Sequence, residues 1–185
     1  MQDAPESVSS QIHNGLALFL EQFWESKSSI KACCITGKSG IGKTMCVKNA
    51  IKEMNYKPIY YSAAFTTMTP VLIDLGKNLV SQKSVIDSLC ISNHRRQVVI
   101  IDDIDILRTT DASAFNVLTQ LVRKKRTEKQ REKESVTSIP IICIGCGSSD
   151  KKSKELMKHT INVRLNTELN NNSPGSTYDG VLENI

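Results

Sequence analysis

Residues 37 to 44 read Gly37-Lys38-Ser39-Gly40-Ile41-Gly42-Lys43-Thr44, with three glycines, two lysines and two hydroxyls in eight positions. They fit G-x-x-x-x-G-K-[ST] without a mismatch, and each part of that pattern has a physical reason. A loop that wraps a polyphosphate must aim successive backbone N–H groups inward. Glycines tolerate the dihedral angles and the close approach this needs. A helix beginning near Lys43 adds the positive end of its dipole beneath the phosphates. Lys43 supplies a cation to the outer phosphates, and Thr44 offers a hydroxyl to Mg²⁺. All eight residues are therefore candidates for binding a nucleotide. The bland alternative, a glycine-rich turn with incidental lysines, leaves unexplained why the run sits between an apolar strand and a helical pattern.

A second candidate lies sixty residues on, where the apolar run "VVIIDDIDIL" (98–107) ends in adjacent aspartates. A carboxylate at the end of a buried strand can hold Mg²⁺ opposite a phosphate loop, and Asp102 is assigned to that role with Thr44. Asp103, next along, is assigned to orienting or deprotonating an attacking water, so Asp103 and Lys43 are the candidate catalytic residues. Asp105 reads as a structural acid. Strands often end in aspartate, so the pair gains its weight from following the loop.

Periodicity supplies the elements that must position these groups. Val8, Ile12, Leu16, Leu20, Phe23 and Trp24 recur at helical spacing over 8–24. "KACCITG" is a short apolar strand that runs into the loop, and "TMCVKNAIKEMN" is a helix with Val47 and Ile51 or Met54 facing a core. "KPIYYSA" is rich in β-formers and reads as a second strand. In it one of Tyr60 and Tyr61 is expected in the core, since consecutive strand residues face opposite ways, which leaves the other to stack on adenine or DNA bases. "TPVLIDLGKNLV" and "ASAFNVLTQLVRKK" read as helices, and 81–96 is ambiguous. "QVVIID" and "SIPIICIG" are uniformly apolar, as in a parallel sheet covered on both faces. "KSKELMKH" and "INVRL" close the series as helix and strand. Strands alternating with helices predict a three-layer α/β domain around a parallel sheet, with ligands beyond the carboxyl ends of its strands. Both chemical motifs belong to that edge.

Bulk properties constrain the remainder. The 185 residues suit one domain, and a 39% hydrophobic content leaves room for polar loops. No run of eighteen apolar residues exists, and "MQDAPESVSS" lacks the basic and apolar sections of a secretory signal. Cys143 and Cys146 form C-x-x-C, but no second pair completes a zinc set, so the six cysteines read as thiols in a reducing compartment. Net charge is +5, and "RKKRTEKQREK" (123–133) holds seven basic and two acidic residues, so the basicity is local. That run suits either a phosphate backbone, a nuclear address or a solvated helix end. From Asn166 the tail has little to bury and is expected to be disordered.

Taken together, the phosphate loop, "VVIIDDIDIL" and "SIPIICIGCGSSDKK" resemble the nucleotide-binding core of AAA+ ATPases. Within that family the sequence is most similar to the large subunits of eukaryotic clamp loaders, replication factor C and its paralogues, over residues 12 to 165. Trp24, "MNYKPIYYSAA" and "IPIIC" fall where those proteins have similar residues. The resemblance implies a P-loop NTPase fold of the AAA+ type, and ATP and Mg²⁺ as cofactors. It also implies slow hydrolysis without partner subunits in a hetero-oligomer, contact with DNA and a sliding clamp through that complex, and a nuclear location. It divides the chain into an N-terminal amphipathic helix and lead-in (1–28), an AAA+ core (29–165) and a polar tail (166–185); the family's helical lid and collar do not follow the fifth strand, as in either a fragment or a reduced relative.

Departures from the family pattern are equally informative. Where those proteins have Asp-Glu this chain has Asp102-Asp103, which sets the second carboxylate back by about 1.5 Å. The family's sensor asparagine is matched by Cys146, with Ser148 or Ser149 as substitutes. The place of the small subunits' arginine finger holds Lys158, His159 and Thr160, as expected of a subunit that receives that arginine. Asn-Ala-Ser-Asp after the second strand is replaced by Ser62-Ala63-Ala64-Phe65. Two other readings remain open here: an ATP-binding interaction module that no longer hydrolyses, and another P-loop enzyme such as an origin-type initiator or a small-molecule kinase.

Overall fold

The strands of this chain are apolar on both sides, and such strands need cover above and below. In the computed structural model, which describes residues 7–25, 30–76, 96–123, 139–147 and 150–165, they obtain it. Five strands, β1 (Ala32–Thr36), β2 (Lys57–Ser62), β3 (Gln97–Asp102), β4 (Ile141–Gly145) and β5 (Ile161–Arg164), form one sheet in the order β2-β3-β4-β1-β5. Every pairing is parallel, with Thr36 opposite Gly145, Ile101 opposite Cys143, and Ser62 opposite Asp102. The three inner strands are buried almost throughout, whereas the edge strand β2 is half exposed. The α/β class with a parallel central sheet is thus as expected.

Alternation divides each strand between two cores. Cys33, Ile35, Val98, Ile100, Ile142 and Ile144 face helices α1 (Val8–Trp24) and α2 (Lys43–Glu53). Cys34, Val99, Ile101, Ile141 and Cys143 face α3 (Met68–Gly76), α4 (Ile104–Thr110), α5 (Ala112–Val122) and α6 (Lys151–Met157). Each fully buried aliphatic side chain of these layers contributes about 1.5–3 kcal/mol by leaving water. Phe19 and Phe23 of α1 belong to the first core and make an edge-to-face contact with each other, so this helix packs on the domain. Tyr61 packs against the second core, as one of the two tyrosines was expected to do.

Helix α4 is absent from the sequence reading. Its buried Ile104 and Leu107 look like a continuation of the apolar strand before them. What converts strand to helix is Asp103, whose φ of 59° is in the left-handed region. Asp111 then ends α4 and caps α5, its carboxylate accepting from the Ala114 N–H at 2.9 Å. Residues 81–95, 124–133 of the basic run, Ser148, Ser149 and the tail from Asn166 lie outside the described residues. Among the described residues no helix is long and apolar enough to cross a membrane.

Helix α1 reaches β5 through Gly15, where an added Cβ would stand 2.5 Å from Val163 Cγ2. Gly15→Val would force the helix off the sheet or Val163 out of its rotamer. Overpacking of this kind costs about 1–3 kcal/mol, more than the few tenths that a better helix former returns. Urea denaturation should show that loss as a lower midpoint with an unchanged slope.

Candidate nucleotide-binding site

Because all five strands run the same way, their carboxyl ends share one edge, and that edge carries the polar groups of interest. The loop Gly37–Gly42 leaves β1 there and returns as α2, whose first residue is Lys43. Gly40 and Gly42 have φ of 81° and 86°, conformations that a residue with a Cβ adopts only at a cost. Gly37 is constrained by space instead: an added Cβ would lie 2.9 Å from Ile41 Cδ1 and 3.0 Å from Leu165 Cβ. Ile41 packs against the α1/α2 core and pins the loop, while Lys38, Ser39 and Gly40 are exposed. The Lys43 side chain is buried under the loop, and its Nζ donates to the carbonyls of Gly37 at 2.8 Å and Lys38 at 2.7 Å. The eight sequence-predicted residues thus comprise a loop whose first two carbonyls hold the Lys43 ammonium, and the first two residues of an 11-residue helix.

The acidic pair lies across the same edge. Strand β4 separates β1 from β3, so the groups meet over its end. The Thr44 hydroxyl donates to Asp102 Oδ2 at 2.8 Å, which joins the loop to the strand end across 58 residues of sequence. Asp102 is buried, and its other oxygen, Oδ1, accepts from the Asp103 N–H at 2.9 Å. A buried carboxylate without such donors would cost several kcal/mol, so these bonds are conditions of its position. Asp103 turns its carboxylate the other way and accepts from Ser62 Oγ at 3.1 Å. Asp102 and Asp103 are therefore held by different side chains, Asp102 by Thr44 of α2 and Asp103 by Ser62 of β2.

Asp105 acts as the expected structural acid. Its Oδ2 accepts the backbone N–H of Cys146, tying the start of α4 to the end of β4. Gly145 is required there, since a Cβ would lie 2.8 Å from that same oxygen and 2.8 Å from Ile104 Cγ1. Cys146 is exposed at the strand end, whereas Cys143 is buried in the α3–α6 core, so the C-x-x-C pair is split between surface and interior. Burial pushes the Cys33 thiol well above its ordinary range, as befits an inert core cysteine. Among the described residues no three His, Cys, Asp or Glu side chains converge. The oxygen donors that do converge are the Thr44 hydroxyl and the Asp102 carboxylate. That small, hard pair suits Mg²⁺, which keeps most of its waters and takes one or two protein donors alongside phosphate.

Two residues, Tyr60 and Ser62, meet the acidic pair in a way the sequence did not indicate. Tyr60 donates its phenol proton to Asp102 Oδ2 at 2.7 Å, and the Lys48 ammonium sits 3.9 Å from the centroid of its ring. Burial, then the bond to Asp102, raises the phenol pKa well above its usual range. Ser62 joins through Asp103. Alternation alone divides Tyr60 from Tyr61; which aspartate each strand end meets follows from the pairing of β2 with β3. Of the three residues at the arginine-finger position, Thr160 is buried, its hydroxyl bonded to the Met157 carbonyl and to Asn162, and Lys158 caps α6.

Comparisons with known proteins agree with this geometry. The sequence is 26% identical over 142 residues to Replication factor C subunit 1 of Drosophila melanogaster, an alignment that covers 75% of this chain and 13% of that protein. The chain thus spans about an eighth of that relative's length. Residues 33–168 match the ATPase family associated with various cellular activities (AAA), and this chain belongs to that family.

Proposed function

We propose that the chain is the Mg-ATP-binding core of an AAA+ ATPase that works within a hetero-oligomer on DNA, as a clamp-loader large-subunit-like protein in replication or repair. The observation that carries this reading is the 2.8 Å bond between Thr44 and Asp102, which brings the phosphate loop and the acidic strand end into one site. In the proposed roles, residues 37–44 surround the phosphates, Lys43 exchanges its loop carbonyls for phosphate oxygens, and Thr44 and Asp102 hold the cation. When bound, Mg²⁺ neutralises charge on the phosphates and orients them. Asp103 is proposed to orient the attacking water. The clamp-loader assignment is favoured by the similarity to Replication factor C subunit 1. It carries with it partner subunits, DNA and a sliding clamp reached through the complex, and the nucleus as the place of action.

An arginine supplied by a neighbouring subunit is worth roughly 10³–10⁵ in rate in nucleotide hydrolases. ATP turnover by the purified chain should therefore be slow, and should rise by several powers of ten with clamp-loader small subunits and primed DNA. Lys43→Ala should remove the gain. Phosphate transfer to a sugar or nucleoside acceptor instead would place the chain among the kinases.

A second reading, a nucleotide-holding interaction module, is favoured by the short Asp103 side chain bonded to Ser62 and by a cysteine at the sensor position. Asp103→Ala separates the two. If Asp103 orients the water, the assembled complex should lose about 10²–10⁴ in turnover while filter-binding affinity for ATP stays the same. Assembly and ATP binding with no turnover in the unsubstituted protein would establish the holding module.

A further inference from the structure

A carboxylate offers about four acceptor positions. In Asp102 three are filled by the protein: Thr44 and Tyr60 donate to Oδ2 at 2.8 and 2.7 Å, and the Asp103 N–H donates to Oδ1 at 2.9 Å. The three donors come from α2, β2 and the β3–α4 turn, so the carboxylate cannot turn without breaking a bond to one of them. Among the described residues, one direction is left for a cation or a water of its hydration shell. Thr44 and the backbone N–H follow from the loop and the chain trace, whereas Tyr60 is a separate addition from the edge strand.

The Tyr60 side chain is not there for its ring. At 39% exposure the ring buries modestly, and a phenylalanine would pack as well against Lys48. The hydroxyl distinguishes it, and the hydroxyl goes to Asp102.

We propose that Tyr60 is a positioning residue for the divalent cation: its hydroxyl fixes the Asp102 carboxylate against Thr44 and so sets how tightly the nucleotide site takes Mg²⁺. This rests on the nucleotide-binding reading above. Partners that orient a ligating side chain typically contribute 10–100-fold to metal affinity. Removal of the hydroxyl should therefore act on the cation and not on the nucleotide itself.

The test uses the 185-residue chain and a fluorescent ATP analogue, first in EDTA and then across a Mg²⁺ titration. Tyr60→Phe keeps the ring and its contact with Lys48. It should leave affinity in EDTA unchanged and move the Mg²⁺ midpoint at least tenfold higher. Lys48→Met, which removes the ammonium and keeps the hydroxyl, should leave that midpoint where it is. A Tyr60→Phe midpoint within twofold of the unsubstituted chain would overturn the proposal, as would equal shifts in both variants. If the unsubstituted chain binds no nucleotide under either condition, the nucleotide reading itself fails, and this inference with it.

Discussion

The structure around the candidate site depends on one buried negative charge. Asp102 sits at the end of the second strand from the sheet edge, almost entirely removed from water. A carboxylate in that position is tolerated only if donors surround it. Meeting that condition brings the first turn of α2 to the end of β3 through Thr44, and β2 through Tyr60. The phosphate loop precedes Thr44 by covalent connection, so docking the helix also docks the loop. Fold stability and site geometry share these bonds. Loss of the carboxylate would loosen the helix and the loop together.

The residue after it shows how sharply the chain must turn. Asp103 has a positive φ, and aspartate is among the few residues with a Cβ that visit that region without large cost. The turn converts an apolar strand into α4, and it points the two adjacent carboxylates at different partners. A longer acid at 103 would carry its charge farther from the backbone; the aspartate present stays within 3.1 Å of Ser62. The bond between Asp105 and the Cys146 N–H then fixes the end of β4 beside this turn, and Gly145 leaves room for it. A positive φ and a close contact thus occur together where polar groups converge.

Much of this was legible in the sequence because the signals were local. The loop needs glycine at positions with positive φ, and the pattern of 37–44 states that need directly. Strands β1, β3 and β4 are uniformly apolar because they are covered twice, and helix α1 showed its 3.6-residue period over its whole length. The hidden features are those that depend on pairing between distant segments. Helix α4 was concealed because Ile104 and Leu107 extend an apolar strand without a break in composition. Tyr60 was ambiguous because period two places it on a face without saying what lies opposite. Its bond to Asp102 exists only because β2 pairs with β3 in that register.

Most departures from the family pattern fall on residues with one kind of proposed role. The eight residues 37–44, Thr44 among them, and Asp102 keep the form expected for holding a polyphosphate and its cation. Apart from Ser62–Phe65 after the second strand, the positions that depart, Asp103, Cys146 and the segment Lys158–Thr160, are those proposed to guide a water or to contribute charge to a neighbour's site. Holding and cleaving draw on different physical resources: the first needs backbone donors and one lysine, the second a carboxylate placed to within a fraction of an ångström. Loss of reach at Asp103 would therefore slow the chemistry while leaving the nucleotide held. On the proposed reading, such a subunit would switch an assembly through occupancy, and its turnover would be governed by an arginine from a neighbour. The extra anchor at Tyr60 belongs with the retained half, since it braces the carboxylate proposed to hold the cation.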